Sequence, residues 1–195
     1  MPDDSTFSPA WSVAAELATA LDALGIDYAV GGALAYGIWT EPRATRDVDI
    51  TLFLDPRHPE KVLALLSEIG CTFQTNAARN SLYEFGFCRA YYRRCFVDFF
   101  LPTTTFLNSA KHRRSFAQVS GRDVRFWNAE VVCVLKLLFF REKDVVDLKD
   151  LIWVQGAKLD RDWVRERIIE VCGQHDPRRI TWDELLKEVD EYGPE

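Results

Sequence analysis

Three acids and a glycine pair are the residues of this 195-residue chain whose types and spacing could do chemistry: Asp47, Asp49, Asp98 and Gly31-Gly32. From Asp47 to Phe53, Val48, Ile50 and Leu52 alternate with Asp47, Asp49 and Thr51. As a strand, this stretch aims both carboxylates at the same side. Asp98 interrupts the apolar run Phe96-Val97-Asp98-Phe99-Phe100, where an acid is partly desolvated and needs a cation, a salt bridge or a proton. If the two strands are neighbours, about 4.8 Å apart, three carboxylates gather and repel one another. Hard divalent cations relieve that repulsion, above all Mg²⁺ with part of its coordination left to substrate phosphates. One or two such ions would fit, and a pair about 3.5–4 Å apart activates an attacking hydroxyl and stabilises the leaving oxygen of an in-line displacement at phosphorus. Phosphoryl or nucleotidyl transfer is the expected reaction.

The apolar segment Tyr28-Ala29-Val30 runs into Gly31-Gly32 and then a short helix, a strand–turn–helix without Cβ atoms at the turn. Backbone N–H groups and a helix N-terminus can approach a phosphate closely there. The pair lacks the third glycine of the dinucleotide fingerprint, and no repeated βαβ pattern follows the acidic strand, which sets a Rossmann domain aside. Arg43, Thr45 and Arg46 precede the acidic strand, in a loop that either reaches phosphates with its arginine forks or is simply solvated. Lys136 lies among Val132, Cys133, Leu135, Leu137 and Leu138, where a lysine must snorkel to water or meet a phosphate or an acid. Asp147 shares a helical face with Asp144 and can pair with Lys136 from the next helix. For Lys143 and Asp144 a solvated face or a structural ion pair is the expectation. Arg89, Arg93 and Arg94 interleave with Tyr91 and Tyr92, and Lys111-His112-Arg113-Arg114 follows; such mixtures serve single-stranded RNA binding or are solvated turns. His58, His112 and His175 show no metal-ligand spacing, and the six tryptophans read as packing residues.

The elements that must position these groups follow from periodicity. Helices are expected over 11–24, 33–39, 59–70, 129–141, 144–155, 161–172 and 182–191, with Asn128 as an N-cap. Strands are expected over 28–30, 47–53, 71–75, 82–87 and 95–101, with a hairpin over 115–127 turning near Ser120-Gly121. Strands gathered in the first two thirds and a helical tail predict an α+β fold, with a core over 1–127 and a C-terminal helical subdomain over 128–195. With 24 Lys+Arg against 30 Asp+Glu the net charge is −6, which excludes a general polyanion binder. Five cysteines without a C-x-x-C pair argue against a disulfide framework or zinc knuckle and for a reducing, cytoplasmic setting. The opening residues show no basic-then-apolar leader, so no secretory signal is expected. The most apolar stretch, 131–140, is interrupted by Lys136 and is about half a membrane span, so no membrane partner is expected.

Gly31-Gly32-Ala33, Arg43-Ala44-Thr45-Arg46-Asp47-Val48-Asp49-Ile50 and Asp98 in its apolar strand together resemble the signature of the DNA polymerase β-type nucleotidyltransferase superfamily. Leu135-Lys136-Leu137 and Arg141-Glu142-Lys143-Asp144-Val145-Val146-Asp147-Leu148 resemble the branch of AbiEii-like (type IV) toxins and related small bacterial nucleotidyltransferases. The resemblance spans roughly residues 28–151. It implies a nucleotidyltransferase-type mixed sheet flanked by helices and Mg²⁺-dependent transfer of a nucleotide monophosphate from a triphosphate such as ATP to an acceptor hydroxyl, with release of pyrophosphate. Asp47, Asp49 and Asp98 would be metal ligands, Asp98 would help deprotonate the acceptor, and Lys136 would contact the triphosphate. Where the superfamily often has Gly-Ser, this chain has Gly32, so phosphate contact through backbone amides is expected. The toxin branch implies RNA, a tRNA 3′ end, or a protein hydroxyl as acceptor, and a cognate antitoxin. An antibiotic nucleotidyltransferase acting on an aminoglycoside or lincosamide is the alternative. A non-catalytic nucleotide-binding module is the competing class.

Overall fold

In the computed structural model of the chain, which describes residues 9–192, the acidic alternation forms strand β2, Asp47–Leu52. Its odd members Asp47 and Asp49 stay half-exposed while Val48, Ile50 and Leu52 are fully buried. The apolar side meets its like across the sheet: Val48 is opposite Val97 and Ile50 opposite Phe99 of the parallel strand β4, Cys95–Phe100. On the other side of β2, Ile50 is opposite Val30 of the antiparallel strand β1, Tyr28–Val30, and Val30 is opposite Phe126 of the parallel strand β6, Arg122–Trp127. Helix α1, Pro9–Ala23, covers this apolar face, packing on β6, β2, β1, β4 and β5 with Trp11 against Phe126. Burial of some ten aliphatic and aromatic side chains between helix and sheet is what keeps β2 in register, because a one-residue slip would turn its acids inward.

The six-stranded mixed sheet has the order β3-β4-β2-β1-β6-β5, with β3, Phe87–Tyr92, and β5, Arg114–Val119, as its edges. The β5–β6 hairpin turns at Ser120-Gly121 with both residues left-handed. Helices α2, Gly32–Trp39, α3, Pro59–Glu68, α4, Thr75–Phe85, and the short α5, Thr105–Ser109, lie between strands.

Two expected strands are absent. Within 71–75 only Thr72 makes an isolated bridge, to Tyr91, and 82–87 is mostly the end of α4. Leu82 and Ala78, four apart, are the buried stripe of that helix, whereas Tyr83 and Phe85 are exposed. Aromatic content imitated a strand where the buried period is helical. The strand that does form begins at Phe87 and takes in Arg89 and Tyr91, a stretch expected to be a basic turn.

The chain divides into two compact units, and the division passes through α2. The first comprises residues up to Leu34 and Pro42–Trp127; the second comprises Ala35–Glu41 and the residues from Asn128 onward. The second unit holds helices α6, Ala129–Phe139, α7, Glu142–Gln155, α8, Arg161–Cys172, and α9, Pro177–Tyr192. Asn128 caps α6, its side chain accepting from the Val131 amide at 3.0 Å. Helix α9 starts at Pro177, earlier than its apolar period suggested, and buries Trp182, Leu185, Leu186 and Val189. Among the described residues no helix is long and apolar enough to cross a membrane. Residues 1–8, on which the expectation of no secretory signal rests, lie outside the described residues.

Candidate active site

Register decides which acids meet. Asp49 is directly opposite Asp98 on the parallel strands β2 and β4, and Asp47, opposite Phe96, stands one pleat away on the same face. All three therefore emerge from the face that α1 does not cover. Asp98 is buried, and both its oxygens accept from Arg89, Nε to Oδ1 at 2.7 Å and Nη2 to Oδ2 at 2.7 Å. Arg89 is its cross-strand partner on the edge strand β3. The fork on Asp98 above all, with further attraction from Asp47 and Asp49, holds the Arg89 guanidinium above the ordinary arginine range against the cost of burial. Register and this shared attraction put the three acids on one face of the sheet, with Arg89 among them.

Among the described residues no three histidine, cysteine or acidic side chains converge as a ready-made metal cage. The donor chemistry nevertheless suits Mg²⁺, which takes one or two protein carboxylates and completes its octahedron with water and substrate phosphate. Asp47 and Asp49 supply such a pair on one strand face. Asp98, with both oxygens on Arg89, is not a donor as it stands.

The glycine turn is built around Asp49. The Gly31 amide donates to the Asp49 carbonyl at 2.8 Å, and Gly32 follows with φ +54°, opening α2. A Cβ on Gly32 would lie 1.7 Å from Asp49 Oδ2 and 2.6 Å from its Cγ, so backbone handedness and a close carboxylate both demand glycine. A Cβ on Gly31 would meet nothing nearer than Trp127 Cδ1 at 3.4 Å, with Asp49 Cβ and Trp127 Nε1 at 3.8 Å. Gly32→Ala is therefore expected to lower Tm by about 2–8 °C, the left-handed penalty alone, and to displace Asp49 so that any transfer activity falls much further. Gly31→Ala should be mild in both measurements. Equal effects at the two positions in thermal melts and turnover would refute the argument.

Before β2, Arg43 and Arg46 are exposed and Thr45 is half-buried. Thr45 Oγ1 donates to the Asp47 carbonyl at 3.2 Å and accepts from the Asp47 amide at 3.4 Å, which fixes the entry to the acidic strand. On the other flank, Thr72, Gln74, Arg89, Tyr91 and Phe96 line an open groove of about 370 Å³. Its rings, Tyr91 and Phe96, meet edge to face with centroids 5.5 Å apart, and Arg89 stands 5.5 Å over the Phe96 ring.

Sequence reasoning placed Arg89 in a basic turn and missed its pairing. Counting back from a turn at Arg93-Arg94 would have set it opposite Asp98. Other members of the basic-aromatic runs are also engaged within the first unit: Arg93 with Glu16 at 2.8 Å, and Lys111 and Arg114 with Asp27 at 2.6 and 3.1 Å. The cysteines are free, and burial pushes the Cys71 and Cys88 thiols up to about 12, which leaves neither a thiolate nucleophile.

Lys136, Asp147 and Asp144 come together inside the second unit. Lys136 Nζ donates to Asp147 Oδ2 at 2.5 Å, lies 3.6 Å from Asp144 Oδ1 and stands 4.9 Å over the Tyr36 ring, with all three charged groups buried. Asp144 also accepts from the Arg141 amide and side chain at the start of α7. Burial alone would raise the Asp144 carboxyl, but the Arg141 fork and the Lys136 charge outweigh it and hold it below its ordinary 3.8. A depressed carboxyl contributes stability that is complete above the unfolded value and lost as pH falls through the folded one. Melts followed from pH 5 to pH 3 should therefore lose more stability in the wild type than in Asp144→Asn; parallel curves would contradict it.

No protein-family model and no curated protein sequence matches the chain. Solved structures do. The chain is similar to an antigenic nucleotidyltransferase-like protein from Paracoccidioides brasiliensis, with TM-score 0.52 and 21% identity over 91% of both chains. It is also similar to ANT(2")-Ia in complex with adenylyl-2"-tobramycin, with TM-score 0.55 and 13% identity over 91% of this chain and 97% of the other. The fold is that of nucleotidyltransferases. At such identities the likeness establishes architecture, and the chemistry must rest on this chain's own residues. The candidates in this chain are the acidic face of β2 and β4 and the turn at Gly32.

Proposed function

We propose that the protein is a Mg²⁺-dependent nucleotidyltransferase that moves a nucleotide monophosphate from a nucleoside triphosphate to an acceptor hydroxyl. The observation that carries this reading is the Asp47-x-Asp49 face abutting Gly32, an acidic pair set against the amide end of a helix. Asp47 and Asp49 would hold the magnesium, which supplies positive charge to the triphosphate and orients it. Gly32 presents its backbone amide at the start of α2 to a phosphate oxygen, whereas the Gly31 amide is engaged by the Asp49 carbonyl and shapes the turn, and Arg43 and Arg46 add charge. The acceptor oxygen bonds to the α-phosphorus as the bond to the bridging oxygen breaks. Pyrophosphate leaves with that electron pair, and the hydroxyl proton passes to Asp98.

Among acceptors, a small cationic alcohol of the aminoglycoside kind is favoured. The chain carries −6, and Arg93, Lys111 and Arg114, which an RNA would need, are already paired with acids. The similarity to ANT(2")-Ia, found with adenylyl-2"-tobramycin, supports that class. A second reading, a toxin-like enzyme acting on an RNA 3′ end or a protein and restrained by an antitoxin, is favoured by the exposed Arg43 and Arg46 beside Asp47. Each of the four labelled triphosphates, supplied with a drug panel, total tRNA and total protein, separates them. Label on a drug, with harmless expression, supports the first; label on tRNA or protein, with growth arrest, supports the second. Triphosphate binding without pyrophosphate release from any acceptor would leave a non-catalytic nucleotide-binding module.

A further inference from the structure

The arginine that holds both oxygens of Asp98 must give one up before that carboxylate can take a proton, and it sits where the acids' charge is concentrated. Arg89 comes from an edge strand, and its side chain is 52% exposed against 11% for Asp98. This cross-strand pair stabilises the desolvated carboxylate of Asp98 while its arginine end stays half in water. Its geometry, however, takes both oxygens of the one buried acid on the catalytic face, each at 2.7 Å. Oxygens that accept a guanidinium fork in the carboxylate plane are not open to a divalent cation in that same plane, and a guanidinium keeps its charge at every working pH. Beside it lies the groove of Thr72, Gln74, Tyr91 and Phe96, where the half-exposed arginine already overlies an aromatic ring and has room to move.

We propose that Arg89 and a divalent cation compete for Asp98: Arg89 is a positioning residue that swings off this carboxylate toward the groove only when a cation held by Asp47 and Asp49 draws Asp98 to itself. The proposal rests on the reading of Asp47 and Asp49 as metal ligands. It assigns Arg89 control over the metal concentration at which the site is complete. Displacing the guanidinium removes a like charge next to the cation as well as freeing a ligand, and both effects act in the same direction.

The test uses Mn²⁺ alone, titrated into the full chain without substrate and followed by the paramagnetic resonance of free Mn²⁺. The variants are Arg89→Met, Arg89→Gln, Asp98→Asn and the double variant Arg89→Met/Asp98→Asn. Either Arg89 variant should tighten Mn²⁺ binding roughly tenfold or more. The gain should shrink below about threefold when Asp98 is already asparagine, because the two residues then no longer share an oxygen. An unchanged or weaker affinity in both Arg89 variants overturns the proposal, as does an equal gain in both Asp98 backgrounds, which would be a long-range field only. Using two Arg89 variants, each checked by its thermal melt, protects the result from a misfolded one. Asp49→Asn separates the two readings: if it leaves Mn²⁺ binding intact, or no variant binds Mn²⁺, the metal reading fails and this proposal with it. If it abolishes binding while Arg89→Met changes nothing, only the competition fails.

Discussion

Asp49→Asn is expected to abolish nucleotide transfer, by about 10³-fold or more, while the protein melts at the same temperature or slightly higher. Asparagine keeps the volume of aspartate beside Gly32, and its side-chain oxygen can still face the amide end of α2, so the tight turn survives. What disappears is one negative charge from a sheet face that carries three acids and one arginine, with Asp49 directly opposite Asp98 and one pleat from Asp47. A structural acid would show the opposite signature, because removing half of an ion pair leaves its partner exposed to the full cost of burial. Like charges crowded on one sheet face destabilise the fold, and their retention makes sense when a ligand supplies the compensating cation. Asp47→Asn should behave alike, with a smaller effect on Arg89. Transfer measured with a labelled triphosphate, beside a circular-dichroism melt, reads both quantities. Activity within tenfold of wild type in either variant would remove the carboxylate pair from the chemistry.

The acidic strand was legible because two independent patterns coincide in Asp47–Leu52: the period of two that buries Val48, Ile50 and Leu52, and the acids on the alternate positions. The turn at Gly31-Gly32 was legible as a turn, but the reason for the second glycine was not. Its necessity lies in the 1.7 Å approach of Asp49 to the missing Cβ, a contact between residues far apart in sequence. Arg89 shows the same limit. A basic residue among tyrosines reads as a solvated turn until β3 is known to form, and β3 was hidden because the aromatic run before it suggested a strand at 82–87. Local propensity named the wrong element, and tertiary burial of Ala78 and Leu82 settled it as helix. In the second unit the lysine in an apolar helix signalled a partner. Asp147, on the next helix, was the acid expected to answer, and the structure supplies it together with Asp144, an acid expected to be solvated or merely structural.

Lys136→Met is expected to cost about 3–5 kcal/mol, or roughly 6–20 °C in Tm, the largest stability effect of any single substitution considered. Methionine fills the space of the lysine stem, so the loss is electrostatic: Asp147 and Asp144, both about 2% exposed, lose the ammonium that lies 2.5 and 3.6 Å away. Asp144 keeps the Arg141 fork, which makes Asp147 the more costly orphan. The double variant Lys136→Met/Asp147→Leu should recover most of the stability, since an apolar pair of similar volume replaces a buried ion pair at little or no net cost. The same two variants test the phosphate-binding role that the sequence resemblance implies for Lys136. If the lysine is purely architectural, the refolded double variant transfers nucleotide with an unchanged KM for the triphosphate. If Lys136 also binds the triphosphate, stability returns while that KM stays raised, and the split between the two measurements identifies which work the ammonium does.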